Sequence, residues 1–260
     1  MKKILSTIMA VAMICTFAAL FTSCGGSGEE FVIGITYFEP MNYFDENNKL
    51  TGFETEFAEA VCKKLGLTPK FQEIDWSAKE TELNSGNIDC IWNGMTITPE
   101  RQETMGISNP YMANKQVLVV KAENVEKYSD SANLAGVSIC AEEGSAGESV
   151  ITTDAAFSGA NYVSVSTMAT ALMEVAAGTS EGCVIDFVTC IGMIGEGTDY
   201  AGLSVVEAYE FSPEQYGIAF RKDDTATVEK FNNAIAELMA DGTVDAIAAK
   251  YKLGNLLVKG

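Results

Sequence analysis

Arg101 stands at the third position of a helix that Thr98-Pro99-Glu100 announces, where a cation is out of place. Threonine caps a helix start, proline suits the first helical position, and glutamate complements the positive end of the helix dipole. A guanidinium there costs a few tenths to about 1 kcal/mol. It makes sense if its fork holds a carboxylate at two points, with a structural ion pair to Asp or Glu as the competing reading. A second strand-to-helix junction, EEGSAGES at 142–149, offers Ser145 as a cap and Glu148 as the far member of a capping box. Both junctions present backbone N–H groups, which attract anions, although each alone is also an ordinary helix start. Asp186 ends the apolar run GCVID, at the strand end where α/β sheets place ligands. It suits an ammonium group and equally a helix cap for the residues after it. An anion clamp and a carboxylate together suit a zwitterion. Phe38 and Trp76 each follow a strand-like stretch and offer rings to a ligand, or to the core.

The 260-residue chain has no histidine, so Ser/His/Asp and Cys/His nucleophilic catalysis are excluded. No G-x-S-x-G, P-loop, dinucleotide fingerprint, EF-hand loop or C-x-x-C occurs, and neither cofactor nor metal is expected. An enzyme would have to use carboxylates, lysine or tyrosine, with Glu39 or Glu142 as general acid. In a binding protein the same two glutamates could face a ligand side chain and favour a cationic or amide group, with chance placement among 36 acidic residues as the competing reading. Without its first 23 residues the chain carries 15 basic against 36 acidic residues, a net charge of −21. Such a surface argues against nucleic acid and anionic membranes as partners. Cys62, Cys90, Cys140, Cys183 and Cys190 form an odd set, several of them in apolar runs. They read as small buried hydrophobes with reduced thiols, a Cys183–Cys190 bridge remaining open.

These groups need a scaffold, and the patterning supplies one. EFVIGITYF is a strand, EPMNYFDENNKLTG a hairpin-like stretch, and Phe53, Phe57, Val61 and Leu65 mark a buried helical face ending at Gly66. PKFQEID, WSAKETELNSG and IDCIWNGM continue as strand, helix and strand, which implies a mostly parallel sheet. A second sheet of the same style spans roughly residues 116 to 211. YGIAFRK is one more strand, followed by a long helix with Val228, Phe231, Ile235, Leu238 and Met239 on one face, and by a final helix. Two α/β lobes result, and the cleft between such lobes is a preferred ligand site.

The order GITYFEPMNYFDENNKLTGFETEFAEAVCKKLG, IDWSAKETELNSGNIDCIWNGMTITPER, EEGSAGE, GCVID and QYGIAFRK resembles the polar amino-acid-binding proteins of bacterial ABC importers, over about residues 31 to 253. The resemblance implies a two-lobed periplasmic-binding-protein-like (type II) α/β fold. Residues 31–113 with 214–260 would form one lobe and 114–213 the other, with crossings near Tyr111–Lys115 and Ser212–Tyr216. It implies that Arg101 grips the ligand carboxylate, aided by Thr96 and by N–H groups of the Gly144-Ser145-Ala146 loop. Asp186 and a carbonyl near Gly94 would take the ammonium. Phe38, Glu39, Trp76, Asn93 and Glu142 would surround the side chain. Ala146 and Asn93 depart from the residues common there, a hydroxyl residue and Ser or Ala respectively.

The first 23 residues, MKK followed by an uncharged apolar run and FTSC, read as an export signal. Ending at Ser23-Cys24, they resemble a bacterial lipoprotein signal, which implies a lipid anchor on Cys24 as in Gram-positive members, with residues 24–30 as a tether. The implied protein is a monomeric, membrane-anchored extracytoplasmic receptor, partnered by an amino acid and importer permease subunits.

Overall fold

The computed structural model describes residues 28–259. The signal at 1–23, the lipidation site Cys24 and the first tether residues lie outside them. Glu29 and Glu30, expected in the tether, already belong to the strand Glu29–Ile35. The reason is pairing: this strand runs parallel to Leu67–Glu73 along its whole length, from Glu29 opposite Leu67 to Ile35 opposite Glu73.

The first sheet has the order Leu67–Glu73, Glu29–Ile35, Cys90–Ile91, Ala219–Arg221, Met105–Ile107. Its first three strands are parallel, and Ala219–Arg221 is antiparallel to its neighbours. The helix Phe53–Leu65 returns the chain between the first two strands, with Phe53, Phe57, Ala58 and Val61 buried and Gly66 closing it in the left-handed conformation. IDCIWNGM is shorter as a strand than its apolar character predicts. Only Cys90–Ile91 joins the ladder, because Gly94, at φ +54°, turns the chain towards the cleft.

The second sheet has the order Asn161–Val165, Ser138–Glu142, Gly182–Asp186, Gln116–Lys121, Leu203–Val205. The first three strands are parallel, and Gln116–Lys121 is antiparallel to both of its neighbours. Between the sheets the chain passes twice, and the passing segments Met112–Asn114 and Glu214–Tyr216 pair as an antiparallel ribbon. The long helix Thr225–Ala240 buries Phe231, Ala234, Ile235 and Leu238 against the first sheet and the helix Phe53–Leu65. The five cysteines Cys62, Cys90, Cys140, Cys183 and Cys190 are buried and free, so they pack as small hydrophobes, and Cys183 and Cys190 are unbridged. No described helix is long and apolar enough to cross a membrane.

Candidate ligand site between the lobes

The strands Cys90–Ile91, Ser138–Glu142 and Gly182–Asp186 all point their C-terminal ends at one small cavity, as parallel sheets do with their ligand sites. Trp76, Asn93, Gly94, Thr96 and Arg101 line it from the first lobe, and Glu142, Ser145, Ala146, Met168 and Asp186 from the second. The lobes meet closely there, leaving room for about one water molecule. As it stands, this cavity admits nothing larger than a water molecule. A wider groove, about 470 Å³, lies between Thr225–Ala240 and the C-terminal tail. Its charged lining residues, Asp245 and Lys259, satisfy each other at 3.0 Å, and no other charged side chain among the described residues lines it. The small cavity is the candidate site because opposite charges converge there from both lobes.

Thr98 caps the helix Pro99–Thr104 by accepting from the Arg101 N–H at 3.2 Å. The Arg101 side chain then leaves its own helix dipole. Nη1 donates to the Thr96 carbonyl at 2.8 Å and Nη2 to the Gly144 carbonyl at 3.1 Å, across the cleft. Asp186 and Glu214 keep this guanidinium charged against the effect of burial, which lowers its pKa. Lys79, missed in the sequence, donates to the same Gly144 carbonyl and to the Trp76 carbonyl, both at 3.0 Å. Burial, then the neighbouring Arg101, pushes its pKa down to about 8.

The second junction folds as its sequence dictates, with one difference. Ser145 accepts from the Glu148 N–H at 3.1 Å, but the Glu148 carboxylate reaches back to the N–H of Gly144 at 2.6 Å and not to that of Ser145. Ala146 begins the helix Ala146–Thr153, which lies so close to the strand Gly182–Asp186 that a Cβ on Gly147 would stand 2.5 Å from the Val184 carbonyl. Gly147→Ala should thus lose about 1–3 kcal/mol in urea denaturation, the cost of overpacking a site that cannot yield.

Asp186 makes no cap hydrogen bond to the helix after it. The antiparallel register sets it opposite Gln116, whose amide donates to it, and Asn114 adds a bond at 3.0 Å. The same two amides also donate to Glu214, at 2.9 and 3.1 Å, and so does the Thr96 hydroxyl at 3.1 Å. Burial, and then the nearby Glu214 charge, raises the Asp186 pKa to about 7. Glu142, only 2% exposed, has no hydrogen bond to its buried Oε1 among the described residues. Burial, then Asp186, raises its pKa to about 8.

The remaining candidates divide. Trp76 is buried on the cavity wall. Phe38 is buried but is not among the cavity residues; its ring tip lies behind Gly94, 3.1 Å from where a Cβ on that glycine would be. Asn93 lines the cavity, but its amide is used in the core, accepting from the Thr36 hydroxyl at 2.6 Å and donating to the Thr36 carbonyl at 2.9 Å. Glu39 is exposed and is not among the cavity residues, contrary to its expected place beside a ligand side chain. Its backbone instead packs on Gly192 of the second lobe. Gly94 donates its N–H to Glu54 at 2.8 Å. Glu54 had no signal in the sequence, since an acid in a first helical turn is ordinary. It is fully buried, also accepts from Asn42 at 3.0 Å and from the Tyr111 hydroxyl, and is pushed up to about 7 by burial. No group of side chains suited to a metal ion occurs among the described residues.

Two α/β lobes closing on a charged cavity through a two-strand connection define a binding protein of the type II periplasmic-binding-protein-like fold. The chain belongs to the bacterial extracellular solute-binding proteins, family 3, whose family model matches residues 31–255. It is 28% identical over 269 residues to the arginine-binding extracellular protein ArtP of Bacillus subtilis, covering 98% of this chain and 100% of that one. It is 27% identical over 256 residues to a probable histidine-binding protein of Neisseria gonorrhoeae, covering 94% of each. Among solved structures, an ABC uptake transporter substrate-binding protein from Streptococcus pneumoniae with bound histidine matches with a TM-score of 0.78 and 31% identity, over 88% of this chain and 95% of that one. These relatives are binding proteins, and the chain is one as well, not an enzyme.

Proposed function

We propose that this protein captures a polar amino acid outside the cytoplasmic membrane and delivers it to an ABC importer. The observation that carries the reading is the pair Arg101 and Asp186, a cation and an anion that reach one buried cavity from opposite lobes. The relatives that bind arginine and histidine support it. In this reading the Arg101 fork turns from the Gly144 carbonyl to the ligand carboxylate, joined by Thr96 and the N–H groups of Ser145 and Ala146. Asp186 and the Gly94 carbonyl take the ammonium, while Trp76, Phe38 and Asn93 bound the side chain. The rigid units are 31–113 with 214–260 and 114–213. A ligand that bridges both shifts the open–closed equilibrium by its differential affinity for the closed state. The protein acts as a monomer and is held at the extracytoplasmic face of the cell membrane by lipid on Cys24, an anchor supported by the basic, apolar and small-residue order of residues 1–24.

A thermal-shift screen with the twenty amino acids and cystine tests the reading. A ligand at about 100 times its Kd adds about 2.7 kcal/mol to stability, so at least one amino acid should raise the melting temperature by several degrees. Stabilisation by none would end the amino-acid assignment and return the carboxylate-enzyme alternative to consideration.

A further inference from the structure

Glu142 is the one cavity-lining carboxylate that the protein itself leaves unanswered. Asp186 has two amide donors and Glu214 has three donors, yet no described donor bonds the Glu142 carboxylate, and its Oε1 is buried. A buried polar group without a partner costs free energy, more so when it is charged. The nearest cation does not resolve this, because the Lys79 ammonium is committed to the Trp76 and Gly144 carbonyls. A zwitterionic backbone answers Arg101 and Asp186 and leaves the buried Glu142 carboxyl without a partner. A neutral amide would hydrogen-bond that carboxyl in the protonated form that burial favours, whereas a cation would draw off its proton and form the stronger, charge-assisted pair. A side-chain cation is therefore the partner that answers Glu142 most strongly.

We propose that Glu142 is the specificity-determining residue of the site and that the ligand is an amino acid with a positively charged side chain, whose cation pairs with this carboxylate in the closed cleft. This rests on the amino-acid-binding reading above. It also reassigns the acid function, since the exposed Glu39 takes no part.

Calorimetric titration of the purified protein with L-lysine, L-arginine, L-glutamine and L-leucine tests it. Lysine or arginine should bind at least about 100-fold tighter than glutamine, the range seen when one partner of a buried charge pair is withheld. Glu142→Gln should remove most of that preference by weakening the cationic ligand about 100-fold, a far larger loss than glutamine suffers. Glu142→Asp keeps the charge and should keep the order of preference, with lower affinity. A wild-type protein that prefers leucine, glutamine or an acidic amino acid overturns the charge assignment and leaves the receptor reading standing. So does a Glu142→Gln variant, folded by its urea melt, whose preference is unchanged. Failure of every amino acid to bind the folded wild-type protein overturns both.

Discussion

Arg101→Ala is expected to abolish ligand binding while leaving a folded protein. The guanidinium is the cation that reaches the cavity from the first lobe, and it already spans the cleft to the Gly144 carbonyl. Truncating one partner of a buried, hydrogen-bonded charge pair costs about 2–5 kcal/mol or more, an affinity loss of roughly 30- to 4,000-fold. Stability should change far less. Two hydrogen bonds to carbonyls disappear, worth about 1.5–3 kcal/mol each at a charged donor. Against that, the unfavourable burial that lowers the arginine pKa is relieved. The net effect in a urea melt should be within about 2 kcal/mol. Arg101→Lys discriminates charge from geometry. A lysine restores the charge but not the planar fork, so it should recover little affinity. A calorimetric titration of Arg101→Ala that retained wild-type affinity would remove Arg101 from the site.

Asp186→Asn should weaken ligand binding about 100-fold through loss of the ammonium partner, and spare analogues that lack the ammonium. Its second effect is on stability and has a defined sign. The folded Asp186 pKa lies near 7, above its ordinary 3.8, so the folded state holds the proton more tightly than the unfolded chain. The stability this confers is complete below about pH 4 and is lost as pH rises through about 7. Glu54, near 7, and Glu142, near 8, act in the same direction. The wild-type protein should therefore lose stability between pH 4 and 8. Asp186→Asn should flatten that decline by a few kcal/mol and be the more stable of the two at pH 8. Ligand affinity should show the opposite trend, rising with pH towards 7 as Asp186 ionises to meet an ammonium that stays charged throughout. Urea melts and titrations at pH 5, 6, 7 and 8 check both. A variant no more stable than wild type at pH 8 would show that Asp186 is not a strained carboxylate.

Arg101 and Asp186 were legible because each lies at a strand-to-helix junction, and a parallel sheet brings such junctions to one edge whatever the details of packing. The alternation of strands and helices gave two lobes for the same reason. The partners of these residues were not legible. Gln116 meets Asp186 only through an antiparallel register between strands 70 residues apart. Glu54 and Lys79 sit at helix starts, where local rules already account for an acid and for a common helix former. Glu39 shows the converse failure. It neighbours Phe38 in sequence, but Phe38 is buried while Glu39 is carried outward in the turn that Met41 and Asn42 close on the Phe38 carbonyl. Asn93 lies in the right place with its amide already used by Thr36, and no spacing reveals such a prior commitment.

The paired segments Met112–Asn114 and Glu214–Tyr216 set Asn114 opposite Glu214, and both share donors or bonds with Asp186. The carboxylate assigned to the ligand ammonium is thus built into the fulcrum of the molecule and not into its jaws. A lever exchanges distance for force. If the lobes pivot on this ribbon, as the proposed receptor function requires, a slight change of spacing at Asp186 would become a wide swing at their far rims. A pull by an importer on those rims would in turn reach Asp186 with mechanical advantage.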